Sequence, residues 1–129
     1  MSAFPSNYIV NKINDHIYKG TAISLGSTRY LALYKTDPTA ADTGTEASGG
    51  SYARQSVTMG SSSSGTTTNT NTLTYSAMSS GTYTHYGVRD ALSAGNLIVY
   101  GALPNPIIAN TGDDITIAAG GISFSLSGS

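Results

Sequence analysis

Short runs of strand-forming residues alternate with turn-forming residues along most of the sequence, and this spacing is the feature that most constrains the fold. The runs are rich in Thr, Val, Ile, Leu and Tyr, whereas Gly, Ser, Asn and Pro separate them. The runs cover residues 28–35, 52–59, 66–75, 82–89, 96–103, 107–109, 114–118 and 121–127. Seven or eight short strands with turn signals between them predict an all-β domain, and we expect a jelly-roll-like β-sandwich.

Two local features refine this strand pattern. Pro104 and Pro106 are expected to end the most apolar run, because proline cannot donate to a β-ladder. The pair Gly120 and Gly121 favours a tight hairpin turn between the last two strands.

One helix is predicted, near the N-terminus. Ser6 can accept a hydrogen bond from a first-turn N–H, and Gly20 suits the left-handed position that follows a helix. Between them, four apolar side chains recur at helical spacing and form one narrow stripe: Ile9, Val10, Ile13 and Ile17. We therefore expect residues 1–20 to form a helical anchor segment that needs a partner surface, and residues 21–129 to form the β-sandwich domain.

Composition excludes several classes of protein. Only 10% of the residues are charged, against about 25% in a typical soluble protein, and the net charge is −1. The 6 Lys and Arg residues do not cluster, so the sequence lacks the basic surface that nucleic-acid binding requires. A single Glu argues against a helical bundle, and the apolar runs are too short to span a membrane. We expect no nucleic-acid partner, no membrane, and a low-charge surface that suits coverage by another protein.

The sequence carries no recognised catalytic motif and no cysteine, so we expect neither an enzyme nor a cofactor or metal site. His16 and His85 are expected to be structural or surface residues. A catalytic pair of His85 with Asp90 is the alternative, although no nucleophile elbow accompanies it. Asp113 and Asp114 are adjacent, so their side chains should point to opposite faces of a strand and not form a glycosidase pair.

Two further patterns leave alternatives open. Asp37, Asp42 and Glu46 lie in a long loop, where oxygen ligands at short spacing could hold calcium, but their spacing matches no known calcium loop. Nine tyrosines without a tryptophan are compatible with a carbohydrate-binding platform, a packed protein interface, or simple coverage of the sandwich.

Five segments together resemble a family of small tailed-phage virion proteins. They are HIYKGTA at 16–22, LALYKTDPT at 31–39, GTEASGGSYARQSVTMG at 44–60, THYGVRDALSAGNLIVYGAL at 84–103 and NTGDDITIAAGGISFSLS at 110–127. The most specific part is the GG-x-YAR block, formed by Gly49, Gly50, Tyr52, Ala53 and Arg54. The sequence departs from the family pattern at Ala47, where a β-branched aliphatic residue is usual, and at Ile117, near where an aromatic residue is common.

Members of the family that the chain resembles are often labelled tail-fibre proteins, and similar small β proteins serve as capsid decoration or cement proteins. The chain is short and not repetitive, unlike a fibre shaft. We therefore expect a capsid decoration protein on the virion surface, which binds the major capsid protein as a homotrimer. The alternative is a tail-fibre or tail-tip adhesin that binds host surface glycan, and a hydrolase of surface polysaccharide is the third hypothesis.

Contact with the shell is expected through the helix or through the loop from Thr39 to Gly50. The residues predicted to bind a partner are Ile9, Ile13, Ile17, Tyr52, Arg54, Tyr83 and His85. Arg54 is further expected to pair with a carboxylate and lock the loop, with an ordinary surface arginine as the alternative.

Overall fold

The computed structural model describes residues 2–126 and has one helix and nine strands in that range. The elements in chain order are β1 (Ser2–Pro5), α1 (Asn7–Lys19), β2 (Arg29–Tyr34), β3 (Gln55–Val57), β4 (Thr66–Thr68), β5 (Leu73–Met78), β6 (Gly81–Arg89), β7 (Leu97–Ala109), β8 (Asp113–Ile117) and β9 (Ser123–Leu126). The last predicted strand extends to residue 127, which lies outside the described residues.

Seven strands form one mixed sheet in the order β3-β2-β6-β7-β1-β9-β4, and β5 pairs with β8 in a second, two-stranded sheet. The large sheet curls until its two edges meet. Met59, just after β3, bridges to Asn69, just after β4. The N–H of Gly60 donates to the Thr68 carbonyl over 2.8 Å. Contact between the two edges leaves fewer unpaired backbone groups at the rim of the sheet.

The apolar core lies between the two sheets. Its largest members include Tyr75 of β5 and Tyr83 and Tyr86 of β6, none of them more than 1% exposed. The Tyr75 hydroxyl donates to the Leu31 carbonyl over 2.7 Å, so the polar end of this buried ring has a partner. The expected all-β sandwich with one N-terminal helix is confirmed. The strands divide seven to two between the sheets, and the jelly-roll subtype is not confirmed.

The helix α1 begins and ends where the sequence predicts. The Ser6 hydroxyl accepts from the Ile9 N–H over 3.3 Å, and Gly20 follows the helix with φ of 76°. The Ile9 side chain is buried. Every residue from Asn14 to Ser24 is exposed, so the second half of α1 is not covered by the rest of the described chain. In that part of the chain, no helix is both long and apolar enough to cross a membrane.

Residues 2–5, just before α1, belong to the sandwich. The strand β1 lies between β7 and β9, with Phe4 opposite Tyr100 and Ala3 opposite Leu126. The Ala3 side chain is part of the core. The helical part of the N-terminal segment is therefore Asn7–Lys19.

The Thr-rich run at 66–75 is two strands rather than the predicted one. It divides at Asn69, which is 2% exposed. The Asn69 side chain donates to the carbonyls of Asn71 and Ala118 and accepts from the Ile122 N–H. These bonds turn the chain from β4 in the large sheet to β5 in the small one.

Two predictions are wrong: that Pro104 and Pro106 end a strand, and that Gly120 and Gly121 form a hairpin turn. In both cases the pairing of the strands is the reason. β7 continues through Pro104 and Pro106, because its ladder with β6 passes from the Ala102–His85 pair to the Ile107–Tyr83 pair and leaves the prolines in a bulge. The turn at 120–121 is not a hairpin, since β8 pairs with β5 while β9 pairs with β1 and β4.

Candidate functional site

The GG-x-YAR block forms a tight turn seated on β5. Gly50 has φ of 56°, and a Cβ there would lie 2.0 Å from the Ala77 carbonyl oxygen, so the position requires glycine. The same carbonyl accepts from the Ser51 N–H over 3.1 Å. Next to it, the Ser79 hydroxyl donates to the Ser48 carbonyl over 2.6 Å. The backbone of the block is thereby fixed against the small sheet.

Tyr52 connects this turn to both sheets. Its hydroxyl donates to Glu46 Oε2 over 2.7 Å and accepts from the Leu33 N–H of β2 over 3.2 Å. Its ring stacks on Tyr75 of β5, with 5.9 Å between centroids and 7° between planes. Tyr52 therefore positions the only glutamate of the sequence.

Arg54 joins that glutamate to a second loop. Its Nε and Nη2 donate to the two carboxylate oxygens of Glu46, both over 2.8 Å. Its Nη1 donates to the carbonyls of Ala91 and Ala94 over 2.9 and 2.8 Å. The side chain is only 8% exposed. The expected pairing of Arg54 with a carboxylate is confirmed, and the bonds tie residues 46–54 to the loop at 90–96.

Arg89 forms a second, similar lock that sequence analysis missed. Its Nη1 and Nη2 donate to the carboxylate oxygens of Asp42 over 2.8 and 2.9 Å. The same guanidinium donates to the Tyr34 hydroxyl over 2.8 Å and to the Gly95 carbonyl over 3.1 Å. We call the pairs Arg54–Glu46 and Arg89–Asp42 the arginine clamps. Both clamps fasten the loop after β2 to the loop at 90–96.

Glu46 and Arg54 of the Arg54–Glu46 clamp both remain ionised around neutral pH. Burial alone would raise the pKa of Glu46, but hydrogen bonds from Arg54 and Tyr52 outweigh it, so the net pKa lies below the ordinary value of 4.5. Burial and the neighbouring carboxylate raise the pKa of the Tyr52 hydroxyl. The hydrogen bond to Glu46 raises the pKa of Arg54. This arrangement suits a structural lock and not a group that transfers protons.

The clamped loops line one face, here called the loop surface, which comprises residues 46–49, 52–54 and 92–94. Its exposed members are residues 48, 49, 53 and 92–94. It surrounds an open concavity of about 430 Å³. The Leu92 side chain is 57% exposed. The backbone on either side of it is held, because Arg54 donates to the carbonyls of Ala91 and Ala94. A loop that is already ordered loses little conformational entropy when it is covered, so this face is a candidate for a protein contact.

The predicted catalytic alternative is not formed. His85 Nδ1 lies 2.8 Å from Thr84 Oγ1. Asp90 follows the end of β6, five residues further on and about 16 Å away by the rise of a strand. Its carboxylate accepts from the Asn96 N–H over 2.7 Å and closes the 90–96 loop.

The adjacent aspartates have structural partners. Asp113 Oδ2 accepts from the Asn110 N–H over 2.9 Å, within the turn before β8. Asp114 Oδ1 accepts from the Ala77 N–H over 2.8 Å, at the irregularity in β5. Each carboxylate therefore accepts a hydrogen bond from a backbone N–H of a neighbouring segment.

The calcium alternative fails because its ligands are already used. Asp42 and Glu46 accept from Arg89 and Arg54, and Asp37 accepts from the Thr39 N–H. Within residues 2–126, no group of three His, Cys, Asp or Glu side chains is arranged to hold a metal ion.

The residues predicted to bind a partner differ widely in exposure. Ile17 is 63% exposed, and Ile13, His85 and Tyr52 are half-buried. The buried members of the set are Ile9, Arg54 and Tyr83. Partner binding stays a prediction for all seven residues, and the three buried members pack within the described chain. Sequence analysis considered Asp42 only as a calcium ligand and missed its ion pair with Arg89, because no local pattern marks an ion pair 47 residues apart.

Comparison with models of protein families shows which family the chain belongs to. The family model described as Podophage GP4 fiber I protein gp80 matches residues 5–125. The chain belongs to this gp80 family. The match includes α1, both arginine clamps and the sheets except for most of β1 and the end of β9. It makes the chain a structural component of a phage virion. The comparison with curated proteins gives no match.

Proposed function

We propose that this gp80-family protein is a capsid decoration, or cement, protein. It is a homotrimer that binds the outer surface of the major capsid protein and catalyses no reaction. The observation that carries the proposal is the loop surface, an exposed contact face that two arginine clamps hold rigid. A small domain that occupies many identical sites on a lattice needs such a pre-formed face.

The clamps hold the loop after β2 in a conformation that is unfavourable for its residues on their own. Thr39 and Asp42 both have φ of 59°, a conformation that residues other than glycine adopt at a cost. The bidentate bond from Arg89 holds Asp42 there. Because the loop is ordered during folding, its ordering does not reduce the affinity of a later contact.

The chemistry around Leu92 suits a wide contact with low charge. Its neighbours on the loop surface are small or uncharged, including Ser48, Gly49, Ser93 and Ala94. The two charges on this face, of Glu46 and Arg54, neutralise each other in their ion pair. Burial of this face therefore requires no unpaired charge to leave water.

The shell contact is assigned to the loop surface rather than to α1. Sequence analysis gave the two as alternatives, and the structure shows that they differ in how they are held. The loop is fastened by both clamps, whereas the second half of α1 is exposed on all sides in the described chain. A rigid face binds a fixed lattice site at lower entropic cost.

The test is binding to heads of the phage prepared without this protein. Wild-type protein and Ile108→Asp are expected to bind, and Leu92→Asp is expected to lose binding. Ile108 is the matched control because it is an exposed aliphatic residue, 77% exposed, near the opposite end of the β6–β7 pair. Failure of the wild type to bind heads, or equal binding of Leu92→Asp, contradicts the proposal.

A tail-fibre or tail-tip adhesin that binds host glycan is the second candidate function. The observation that favours it is the description of the matching family as a fibre protein. Glycan binding by the isolated protein on an array, together with its location on the tail, would establish it. Head binding without glycan binding would reject it.

A further inference from the structure

We propose that the apolar stripe of α1 is the contact between copies of this chain, with Val10, Ile13 and Ile17 packed against the same residues of two other copies in a parallel three-helix arrangement. The inference takes the trimeric state from the proposed function. What it adds is the surface through which the three copies meet. It is independent of which virion surface the protein occupies.

The helix lacks tertiary support for half of its length. Ile9 is buried in the first turn, whereas Asn14 to Ser24 is exposed throughout. A helix of 13 residues is marginal in water unless an apolar face is covered. Ile17 is nevertheless 63% exposed and Val10 37% exposed. The second half of α1 therefore needs a cover that the described part of this chain does not supply.

The positions of the charged residues around α1 allow a second copy of the chain to cover the apolar stripe. At about 100° per residue, Val10, Ile13 and Ile17 fall within about 60° of the helix circumference. The three charged residues of the helix fall on the opposite side: Lys12, Asp15 and Lys19. A symmetric parallel contact places identical residues side by side, so it tolerates only a seam that is free of like charges. The α1 stripe meets this condition.

The side-chain types favour three copies over two. Val10 and Ile17 are seven residues apart and Ile13 lies three after Val10, which is the a–d–a spacing of a coiled coil. Isoleucine or another β-branched residue at both a and d favours trimers or tetramers, whereas leucine at d favours dimers. All three seam residues of α1 are β-branched.

Cysteine scanning can test the contact because the chain contains no cysteine. In a parallel symmetric bundle, residue 17 of one copy lies beside residue 17 of its neighbours. Ile17→Cys should therefore give covalent dimers with a short bismaleimide. The matched control is Asp15→Cys, on the opposite side of the same exposed turn, and it should stay uncross-linked. Light scattering should show that Ile17→Asp loses the trimer and has the monomer mass of 13.2 kDa.

Three results would overturn the inference. They are a monomeric wild-type protein, a trimer that persists in Ile17→Asp, and cross-linking of Val10→Cys to Ile17→Cys without any self-linkage of Ile17→Cys, which indicates an antiparallel pair. Circular dichroism confirms that each variant is folded, as expected for an exposed site. Head binding separates this inference from the proposed function, because a wild-type protein that is monomeric yet binds heads contradicts the α1 contact and leaves the proposed shell binding intact.

Discussion

At the scale of single residues, Arg54 makes four hydrogen bonds, two to the Glu46 carboxylate and two to carbonyls of the 90–96 loop. Arg54→Met removes all four and leaves Glu46, 24% exposed, without its ion pair. We expect the free energy of unfolding to fall by about 3 kcal/mol, measured by urea denaturation. Lys19→Met, at the exposed end of α1, should change it by less than about 0.5 kcal/mol. A similar small change for both variants would show that the clamp is not stabilising.

The lowered pKa of Glu46 predicts a loss of stability in acid. The unfolded chain binds a proton at Glu46 near pH 4.5, whereas the folded chain binds it only at lower pH. In between, the unfolded state holds more protons, so the free energy of unfolding falls as the pH falls through this window. The contribution of Glu46 is complete above pH 4.5.

Urea denaturation at a series of pH values can measure this dependence. Glu46→Gln should be less stable than the wild type at neutral pH and should lose stability less steeply below pH 4.5. Ile108→Thr, at an exposed site of β7 that carries no charge, should retain the wild-type slope. An unchanged slope in Glu46→Gln would assign the acid sensitivity to other carboxylates.

At the scale of elements, the turn of the GG-x-YAR block depends on Gly50. A Cβ at this position meets the Ala77 carbonyl oxygen, whereas a Cβ at Gly112, which also has positive φ, meets nothing within 4 Å. Gly112→Ala should cost about 1 kcal/mol of backbone strain. Gly50→Ala should exceed that by about 2 kcal/mol or more, because it adds a steric clash. Equal thermal or urea midpoints for the two variants would contradict this account of the turn.

Elements set by nearby residues were predictable, and those set by distant contacts were not. Ser6 and Gly20 mark the ends of α1 within the helix itself, and Arg54 finds its carboxylate eight residues away in Glu46. The division at Asn69 depends on bonds to residues 49 and 53 positions away. Sequence patterns carry no record of such pairings, and for the same reason the strand β1 and the Arg89–Asp42 clamp were missed.

At the scale of the whole molecule, the low charge of the chain has a structural basis. The four charged residues of the clamps neutralise one another in two ion pairs, both fastening loops on the sandwich. Much of the remaining surface is Ser, Thr and Gly, which can be covered without stranding a charge. The loop surface and the α1 stripe are then separate contacts, one proposed for the shell and one for neighbouring copies.

The most direct test of the decoration proposal is to locate and count the protein on purified particles of its phage. Electron cryomicroscopy should place it on the outer face of the head, and quantitative mass spectrometry should find it in a fixed ratio to the major capsid protein. A few copies confined to the tail, with none on the head, would contradict the account.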